Sequence, residues 1–504
     1  MVLSTIVFLP LLLPLLYFIL RPRPVNIPIK DRHVFITGGS SGIGLALAKQ
    51  AASEGARVTL LARSLDKLEQ AKKSIRQAYG VEVSIFAADV RDFEAVNRAV
   101  NDAAPIDVLI VNHGIFLPQE LDKQELDMVR LMVEVNLMGS FNGIKAVLPL
   151  MKDRMDKKPL SIALMSSQAG QIGVYGYATY SATKFGLRGL AEALQQETIS
   201  NNIHVSLICP PVTQTPGVQE GGSIGIGLAI AKKAASEGAR ISLLSRSLDK
   251  LKEAKQSIQE EYQVDVSIFA ADVRDYNAIE RAIKEAGPID VLVINHGVFV
   301  FEELETQELD VVKFMIDVNL MGTFNVIKAA LPLMKARKDK SPASIAIMSS
   351  EAGQVGLYGY TAYSASKFGL RGLAEALQQE VISDNIYVSI ICPPSTETPA
   401  IKTMSELMKF IISSSGEVMK AEEVAKITLN GIKSGSFTVP CTFIGRLLVV
   451  ATAGVSPQTS FLMAAVEVVF AGFARFVALF YLWSWYRKIE QCQAQNKKVE
   501  KKLQ

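Results

Sequence analysis

Cysteine is scarce. The chain's 504 residues hold four, Cys209, Cys392, Cys441 and Cys492, and no two have the spacing of zinc ligands. Cys209 and Cys392 each close an apolar run, which reads as a buried thiol. This usage excludes a disulfide-built fold and fits a reducing, cytosol-facing setting. An excess of either charge is also missing: 53 Lys and Arg against 50 Asp and Glu leave +3. That balance gives no basic field for nucleic acid. The third absence is local. The glycine-rich turn "GGSIGIG", Gly221 to Gly227, has no buried strand ahead of it, only "TPGVQE", which is turn chemistry.

The missing strand has an explanation in a repeat of long period. "GGSSGIG" at Gly38 returns as "GGSIGIG" at Gly221, 183 residues on, and the same offset carries Asn136 to Asn319, Tyr180 to Tyr363 and Cys209 to Cys392. "VSIFAADVRD" and "KFGLRGLAEALQQE" recur letter for letter. A period this long is a duplicated domain rather than a solenoid unit. In the first copy the runs "HVFIT", "ARVTLLA", "VEVSIFA", "IDVLIV", "LSIALM" and "IHVSLI" alternate with amphipathic segments. That alternation predicts an α/β fold with a doubly wound (Rossmann) parallel sheet in each copy. The second copy lacks a counterpart of "HVFIT" but continues to "SFTVP", a candidate seventh strand. The joint at about residue 217 therefore falls where one copy was cut and the next joined inside its glycine turn.

Both ends are apolar. Residues 3–20 carry no charge and as a helix reach roughly 27 Å, close to one bilayer core. No basic region precedes them and no small-residue cleavage site follows, which argues against a signal peptide. Arg21, Arg23, Lys30 and Arg32 come after the span, so the positive-inside rule leaves the remainder cytosolic. Residues 442–455 and 461–486 are apolar but contain Arg446, Glu467 and Arg475, costly at mid-bilayer. They read as a re-entrant or surface-lying hairpin, with two spans as the alternative, and Trp483, Trp485 and Tyr486 as an interfacial belt. The expected organisation is an anchor over 1–24, unit 1 over 25–217, unit 2 over 218–440, and a membrane-associated tail with a polar end over 441–504.

The chemistry-bearing residues form a constellation. "TGGSSGIGLALA" follows a strand and opens a helix, so Gly38, Ser40, Ser41, Gly42 and Gly44 predict a pyrophosphate cradle at a helix N-terminus. Arg63 stands after the second strand where an acidic residue would suit NAD; with Lys67 it favours the extra phosphate of NADP. Asp89 after the third strand is a candidate acceptor for an adenine amino group, or a helix cap. Ser167 lies thirteen residues before Tyr180, and Lys184 four after it on the same helical face. A lysine ammonium there would lower the pKa of the phenol, which could then protonate a carbonyl oxygen.

These motifs resemble the short-chain dehydrogenase/reductase family, and its pattern falls on Thr37, Gly38, Gly42 and Gly44. "VNHG" keeps Asn112 and Gly114 of a second element, with His113 as a neighbour of the coenzyme wall. The resemblance implies that Ser167 orients a carbonyl, Tyr180 is the acid/base, Lys184 holds the ribose and tunes Tyr180, and Asn136 supports a water relay. The N-terminal segment, the stretch "SSQAGQIGVYGYATYSATK" and the tail "SPQTSFLMAAVEVVFAGFARF" are similar to a membrane-anchored branch. For that branch the implied reaction is NADPH-dependent reduction of a long-chain sphingoid ketone at the cytosolic face of the endoplasmic reticulum. A membrane-anchored steroid or retinoid dehydrogenase, or an inactive NADPH-binding scaffold, are the alternatives. The resemblance also implies pairing of the Asn- and Tyr-bearing helices, either within the chain or in a homodimer.

Unit 2 keeps Asn319, Ser350, Tyr363 and Lys367, and its coenzyme candidates are Gly221, Ser223, Gly225, Gly227, Arg246, Lys250 and Asp272. Glu220 replaces Thr37 and Ile224 replaces Ser41, placing a charge near the pyrophosphate and removing a hydroxyl. Unit 1 is therefore expected to bind NADPH well and unit 2 weakly. Unit 1, lacking the segment after its sixth strand, is expected to borrow the tail.

Overall fold

The computed structural model describes residues 27–156, 158–210, 226–337, 341–394, 419–454, 456–458 and 461–503. The predicted anchor over 1–24 lies outside the described residues, as do Gly221, Ser223 and Gly225. Unit 1 contains strands β1 (His33–Thr37), β2 (Arg57–Ala62), β3 (Val83–Ala87), β4 (Val108–Val111), β5 (Leu160–Met165) and β6 (Ile203–Ile208). They form one parallel sheet in the order β3-β2-β1-β4-β5-β6. Its helices are α1 (Gly42–Ser53), α2 (Leu65–Tyr79), α3 (Phe93–Ala103), α4 (Leu126–Met132), α5 (Gly139–Lys152) and α6 (Ala178–Thr198). Every residue of β1 is buried, as expected of a central strand covered by helices on both faces. Ser64 and Asp92 cap α2 and α3 by accepting from the Lys67 and Ala95 amides.

Unit 2 repeats this order one strand short. Its strands are β7 (Ile241–Ser245), β8 (Val266–Ala270), β9 (Val291–Ile294), β10 (Ala343–Met348), β11 (Ile386–Cys392) and β12 (Thr438–Pro440). Its helices are α7 (Gly227–Ala235), α8 (Leu248–Tyr262), α9 (Tyr276–Ala286), α10 (Leu309–Ile316), α11 (Gly322–Lys335), α12 (Thr361–Val381) and α13 (Ala421–Lys433). Among the described residues the sheet is parted: β7 pairs only with β8, and β9 to β12 form a separate four-stranded sheet. Among those residues the gap lies where β1 stands in unit 1. Leu60 and Leu61 of β2 are fully buried, whereas Leu243 and Leu244 of β7 are half-buried. Val108 of β4 is buried and its counterpart Val291 is 46% exposed. "SFTVP" does supply a seventh strand, β12, parallel to β11. Of the thiols, Cys392 is buried as expected; Cys209 is only half-buried, and among the described residues no strand of unit 1 lies beyond β6 to cover it.

The units pack on each other through α6 and α12. Gly189 and Gly372 bring the helices close: a Cβ at Gly189 would stand 2.6 Å from the Ser364 carbonyl oxygen, and one at Gly372 2.7 Å from that of Ser181. The flanking contacts are reciprocal. Glu380 accepts from the Leu121 amide at 2.8 Å, and Glu197 from the Leu304 amide at 2.7 Å. Lys328 donates to the Leu121 and Asp122 carbonyls, and Lys145 to those of Leu304 and Glu305. Burial pushes the Glu197 and Glu380 carboxyls up to about 7.

The tail is a hairpin with unequal arms, α14 (Phe443–Thr452) and α15 (Phe461–Leu503). Its main fastening is to unit 2. Arg371 donates to the Thr452 carbonyl at 2.6 Å and to the Ser456 hydroxyl at 2.8 Å, and Thr442 donates to Glu351 at 2.7 Å. Arg371 also bonds Glu375, and its unit 1 counterpart Arg188 bonds Glu192 in the same way. Along α15, Leu462–Arg487 is apolar enough by length and composition to cross a membrane, with Val468, Val469 and Phe470 exposed. Among the described residues the other helical stretch that meets this test, Leu309–Lys335, is mostly buried in the protein core. Trp485 departs from the belt reading: it is buried against the protein.

The parted sheet makes a prediction for backbone protection. Amides of β7 should exchange with solvent faster than those of β2 in hydrogen-exchange mass spectrometry, because β7 has one hydrogen-bonded neighbour and β2 has two. Equal protection would mean that another segment pairs with β7.

Candidate functional site

In unit 1 the glycine turn has the geometry of an anion cradle. Gly38 and Gly42 have φ of +65° and +54°, a region side chains avoid. A Cβ at Gly44 would stand 2.3 Å from the Gly38 carbonyl oxygen and 2.5 Å from the Asn112 amide nitrogen. Ser41 precedes α1 without capping it by its side chain and is exposed with Gly42. The α1 N-terminus is thus open to an incoming phosphate. Asn112 supports the turn from β4, donating through its side chain to Gly38 at 3.3 Å and through its backbone to the Thr37 hydroxyl at 3.1 Å. Thr37 also shares a 2.8 Å hydrogen bond with His113. His113 is buried; burial first, then the Lys184 charge, lowers its pKa to about 3, so the ring is neutral.

Arg63 and Lys67 are exposed beside the turn, at the end of β2 and the start of α2. Asp89 is not a helix cap, since Asp92 holds that place. Its carboxylate accepts from the backbone and guanidinium of Arg91, at 2.9 Å in each case. Burial alone would raise its pKa, but the Arg91 hydrogen bonds outweigh that and hold it low. Asp272 repeats the arrangement with Arg274, and Asp275 is the cap. Arg246 and Lys250 are exposed like their counterparts.

Ser167, Tyr180, Lys184 and Asn136 converge at the C-terminal edge of β5. Ser167 ends that strand's loop, and its hydroxyl lies within hydrogen-bond reach of Tyr180. Lys184 is one turn along α6 from Tyr180, its Nζ 5.5 Å from the ring centroid. The expected lowering of the phenol's pKa is not what results: burial raises the Tyr180 pKa, with only the Ser167 hydrogen bond opposing it. Burial is the larger influence on the phenol, while Lys184 Nζ donates to the Met165 carbonyl at 2.8 Å. Buried there, the lysine is itself lowered to about 8. Gly114 lies under the lysine, where a Cβ would come within 3.4 Å of Nζ.

Asn136 sits in a π-helical turn, Val133–Met138, between α4 and α5. Its carboxamide accepts from the Ile115 amide at 2.7 Å and donates to the Ile115 carbonyl and the Thr183 hydroxyl. With its side chain fully engaged, Asn136 positions the loop after β4 against α6. Neither the π turn nor Thr183 is foreseen by sequence reasoning; no proline or glycine marks the turn. Another unforeseen residue is Gln124, which accepts from the Thr179 hydroxyl beside Tyr180.

Unit 2 reproduces the cluster. Lys367 donates to the Met348 carbonyl at 2.9 Å, and Asn319 bonds Val298 and Ser366. Burial lowers Lys367 to about 8 and raises Tyr363 to about 12, with Ser350 opposing the latter shift. The surroundings differ. Asn295 and His296 match Asn112 and His113, but both polar atoms of the Asn295 side chain and Nδ1 of His296 lack a partner among the described residues. Each such buried group costs about 1–3 kcal/mol. A cavity of about 930 Å³ opens beside Tyr363, walled by unit 2, by α6 and β6 of unit 1, and by α14 and α15. The tail therefore roofs the unit 2 site. For unit 1 it supplies contacts near α6, not the borrowed roof expected from sequence.

The short chain dehydrogenase family model matches residues 32–220 and again residues 218–408. The 3-dehydrosphinganine reductase TSC10B of Arabidopsis thaliana is 59% identical over 288 residues, 56% of this chain and 87% of that protein. The 3-ketodihydrosphingosine reductase of Bos taurus is 37% identical over 308 residues, 58% of this chain and 92% of that protein. In fold, the N-domain of bacterial malonyl-CoA reductase, solved with NADP, covers 83% of this chain and 99% of its own at a TM-score of 0.62 and 15% identity. That likeness extends over both units.

The two glycine turns are expected to respond differently to substitution. Gly44→Ala, which forces a Cβ onto the Gly38 carbonyl, should abolish most coenzyme binding in a fluorescence titration. Gly227→Ala, whose nearest neighbour would be Asn295 at 3.1 Å, should change it little. Equal losses would assign a coenzyme site to each unit.

Proposed function

Because the chain belongs to the short-chain dehydrogenase family, we propose that it reduces 3-oxosphinganine to sphinganine with NADPH, and that unit 1 is the seat of the reaction. The observation that carries this reading is the 59% identity to a 3-dehydrosphinganine reductase over 87% of that protein's length. The choice of unit 1 is supported by its complete glycine turn beside a Ser-Tyr-Lys cluster. The Gly38–Gly44 cradle fits a pyrophosphate, and Arg63 and Lys67 fit the additional phosphate of NADP. Gly114 and Lys184 would flank the ribose. When bound, NADPH supplies the hydride.

The chain's own residues then manage the carbonyl oxygen. Ser167 Oγ donates a hydrogen bond to it and fixes its direction. Tyr180 Oη gives up its proton as negative charge develops there. The raised pKa of Tyr180 keeps the phenol protonated at neutral pH, which suits ketone reduction rather than alcohol oxidation. Lys184, with a pKa near 8, carries a positive charge near the forming phenolate and stabilises it. Asn136 acts as a positioning residue, holding the loop after β4 against the helix that carries Tyr180 and Lys184.

The apolar anchor over 1–24 and the exposed face of α15 would keep the site beside a bilayer-dissolved substrate, at the cytosolic face of the endoplasmic reticulum. The two units, 25–217 and 218–440, would act as an intrachain pair through α6 and α12, with 441–504 as the membrane-associated tail.

Tyr180→Phe should lower kcat by about 10²–10⁴-fold in a reductase assay on 3-oxosphinganine, while Tyr363→Phe leaves it within about twofold of wild type. Loss only with Tyr363→Phe would transfer the reaction to unit 2. The rate should also fall as pH rises through about 8. Lys184 has a pKa lowered from 10.5 to about 8, so its ammonium is present below that pH and lost above it. A flat profile to pH 10, measured as kcat/KM, would remove Lys184 from the mechanism.

A further inference from the structure

The cavity beside Tyr363 has features that the reductase reading does not use. Much of its wall is apolar and comes from the tail, with Leu447, Leu448 and Ala451 on α14 and Ala478 and Leu482 on α15. Its volume of about 930 Å³ is at the upper end of small-molecule sites. Its polar end is unsatisfied. Asn295, His296 and Gln354 line it, each more than nine-tenths buried and each with a polar atom lacking a partner among the described residues. In unit 1 the Asn112 side chain donates to the Gly38 carbonyl and His113 Nδ1 bonds the Thr37 hydroxyl; the matching Asn295 side chain and His296 Nδ1 have no such partner among the described residues.

The charges facing the cavity are unevenly matched. Arg188 is paired with Glu192, Lys367 is bonded to the Met348 carbonyl, and Arg475 is exposed on α15. Glu351 lines the cavity, is 5% exposed, and has the neutral Thr442 hydroxyl as its partner. It makes no ion pair among the described residues. Unit 1 has Gln168 at this position, so the carboxylate belongs to unit 2 alone. Burial raises it to about 7, and a cation beside it would restore its charge.

We propose that this cavity binds a long-chain amino alcohol without coenzyme, its hydroxyls meeting Asn295, His296 and Gln354, its ammonium meeting Glu351, and its chain lying along the tail hairpin. The amino-alcohol head rests on the reaction proposed above; the demand for a long apolar chain rests on the wall. Unit 2 would then hold lipid for unit 1 rather than turn it over. Because the walls come from both units and the tail, the site exists only in the joined chain.

The test uses the full chain in phospholipid nanodiscs, with no NADPH, titrated with a fluorescent long-chain amino alcohol. Saturable binding is expected, weakened by about tenfold or more, the equivalent of about 1.4 kcal/mol, in Ala451→Trp and Ala478→Trp, which fill the cavity. Glu351→Gln should weaken the amino alcohol but not the matching fatty alcohol. A photoreactive form should label Leu447–Ala451 and Ala478–Leu482 in the unaltered chain, a readout that needs no variant to fold. Labelling confined to the outward Val468–Phe470 face, binding that requires NADPH, or cavity-filled variants that bind as wild type would each overturn the proposal. Reductase activity measured alongside separates the two readings: turnover without binding rejects this one alone, and binding without turnover rejects the other alone.

Discussion

Five residues, His33–Thr37, hydrogen-bond to a parallel strand on each side, and the rest of unit 1 depends on that double pairing. β1 joins the two halves of the sheet, buries its side chains on both faces and delivers Thr37 to the base of the glycine turn. The Asn112 amide and His113 Nδ1 both bond the Thr37 hydroxyl. Among its described residues unit 2 has no strand at that place. There β7 and β9 stand as edges, and the Asn295 side chain and His296 Nδ1 lack partners. A strand at the centre of a doubly wound sheet thus sets both the stability of the layer and the shape of the ligand crevice.

Unit 2 nonetheless retains its helices, its Ser-Tyr-Lys cluster and its contacts with unit 1. The reason lies in where the loss occurred. β9 to β12 remain contiguous, and α12, which carries Tyr363 and Lys367, is packed between that sheet and α6. The large cavity lies in unit 2 with the tail hairpin as part of its wall.

Much of this was legible in the sequence. Apolar runs gave the strands with small errors at their starts, and the offset of 183 residues exposed the missing one. Glycine spacing and the Ser-Tyr-Lys interval located the candidate site because those constraints are local: a positive φ, a helix face, a turn. The tail's attachment was not legible. Arg188 and Arg371 sit in the identical stretch "KFGLRGLAEALQQE", yet one bonds a neighbouring glutamate and the other also grips the Thr452 carbonyl. Only the arrival of a distant segment distinguishes them. The direction of the Tyr180 shift was missed for a related reason. Spacing places Lys184 near the phenol, but it is the burial of Tyr180 by distant packing that raises its pKa.

The paired helices carry a freedom that no symmetric dimer has. At a two-fold interface every substitution is made twice, so a change useful on one side must be tolerated on the other. Here the two sides are separate stretches of one gene product. Thr179 donates to Gln124, whereas the matching Ala362 has no hydroxyl and leaves the Gln307 carboxamide oxygen without a partner among the described residues. In the other helix it is Thr361, where unit 1 has Ala178, that donates across to Glu197, so each helix is braced by a different hydroxyl, a lopsidedness that covalent joining makes heritable.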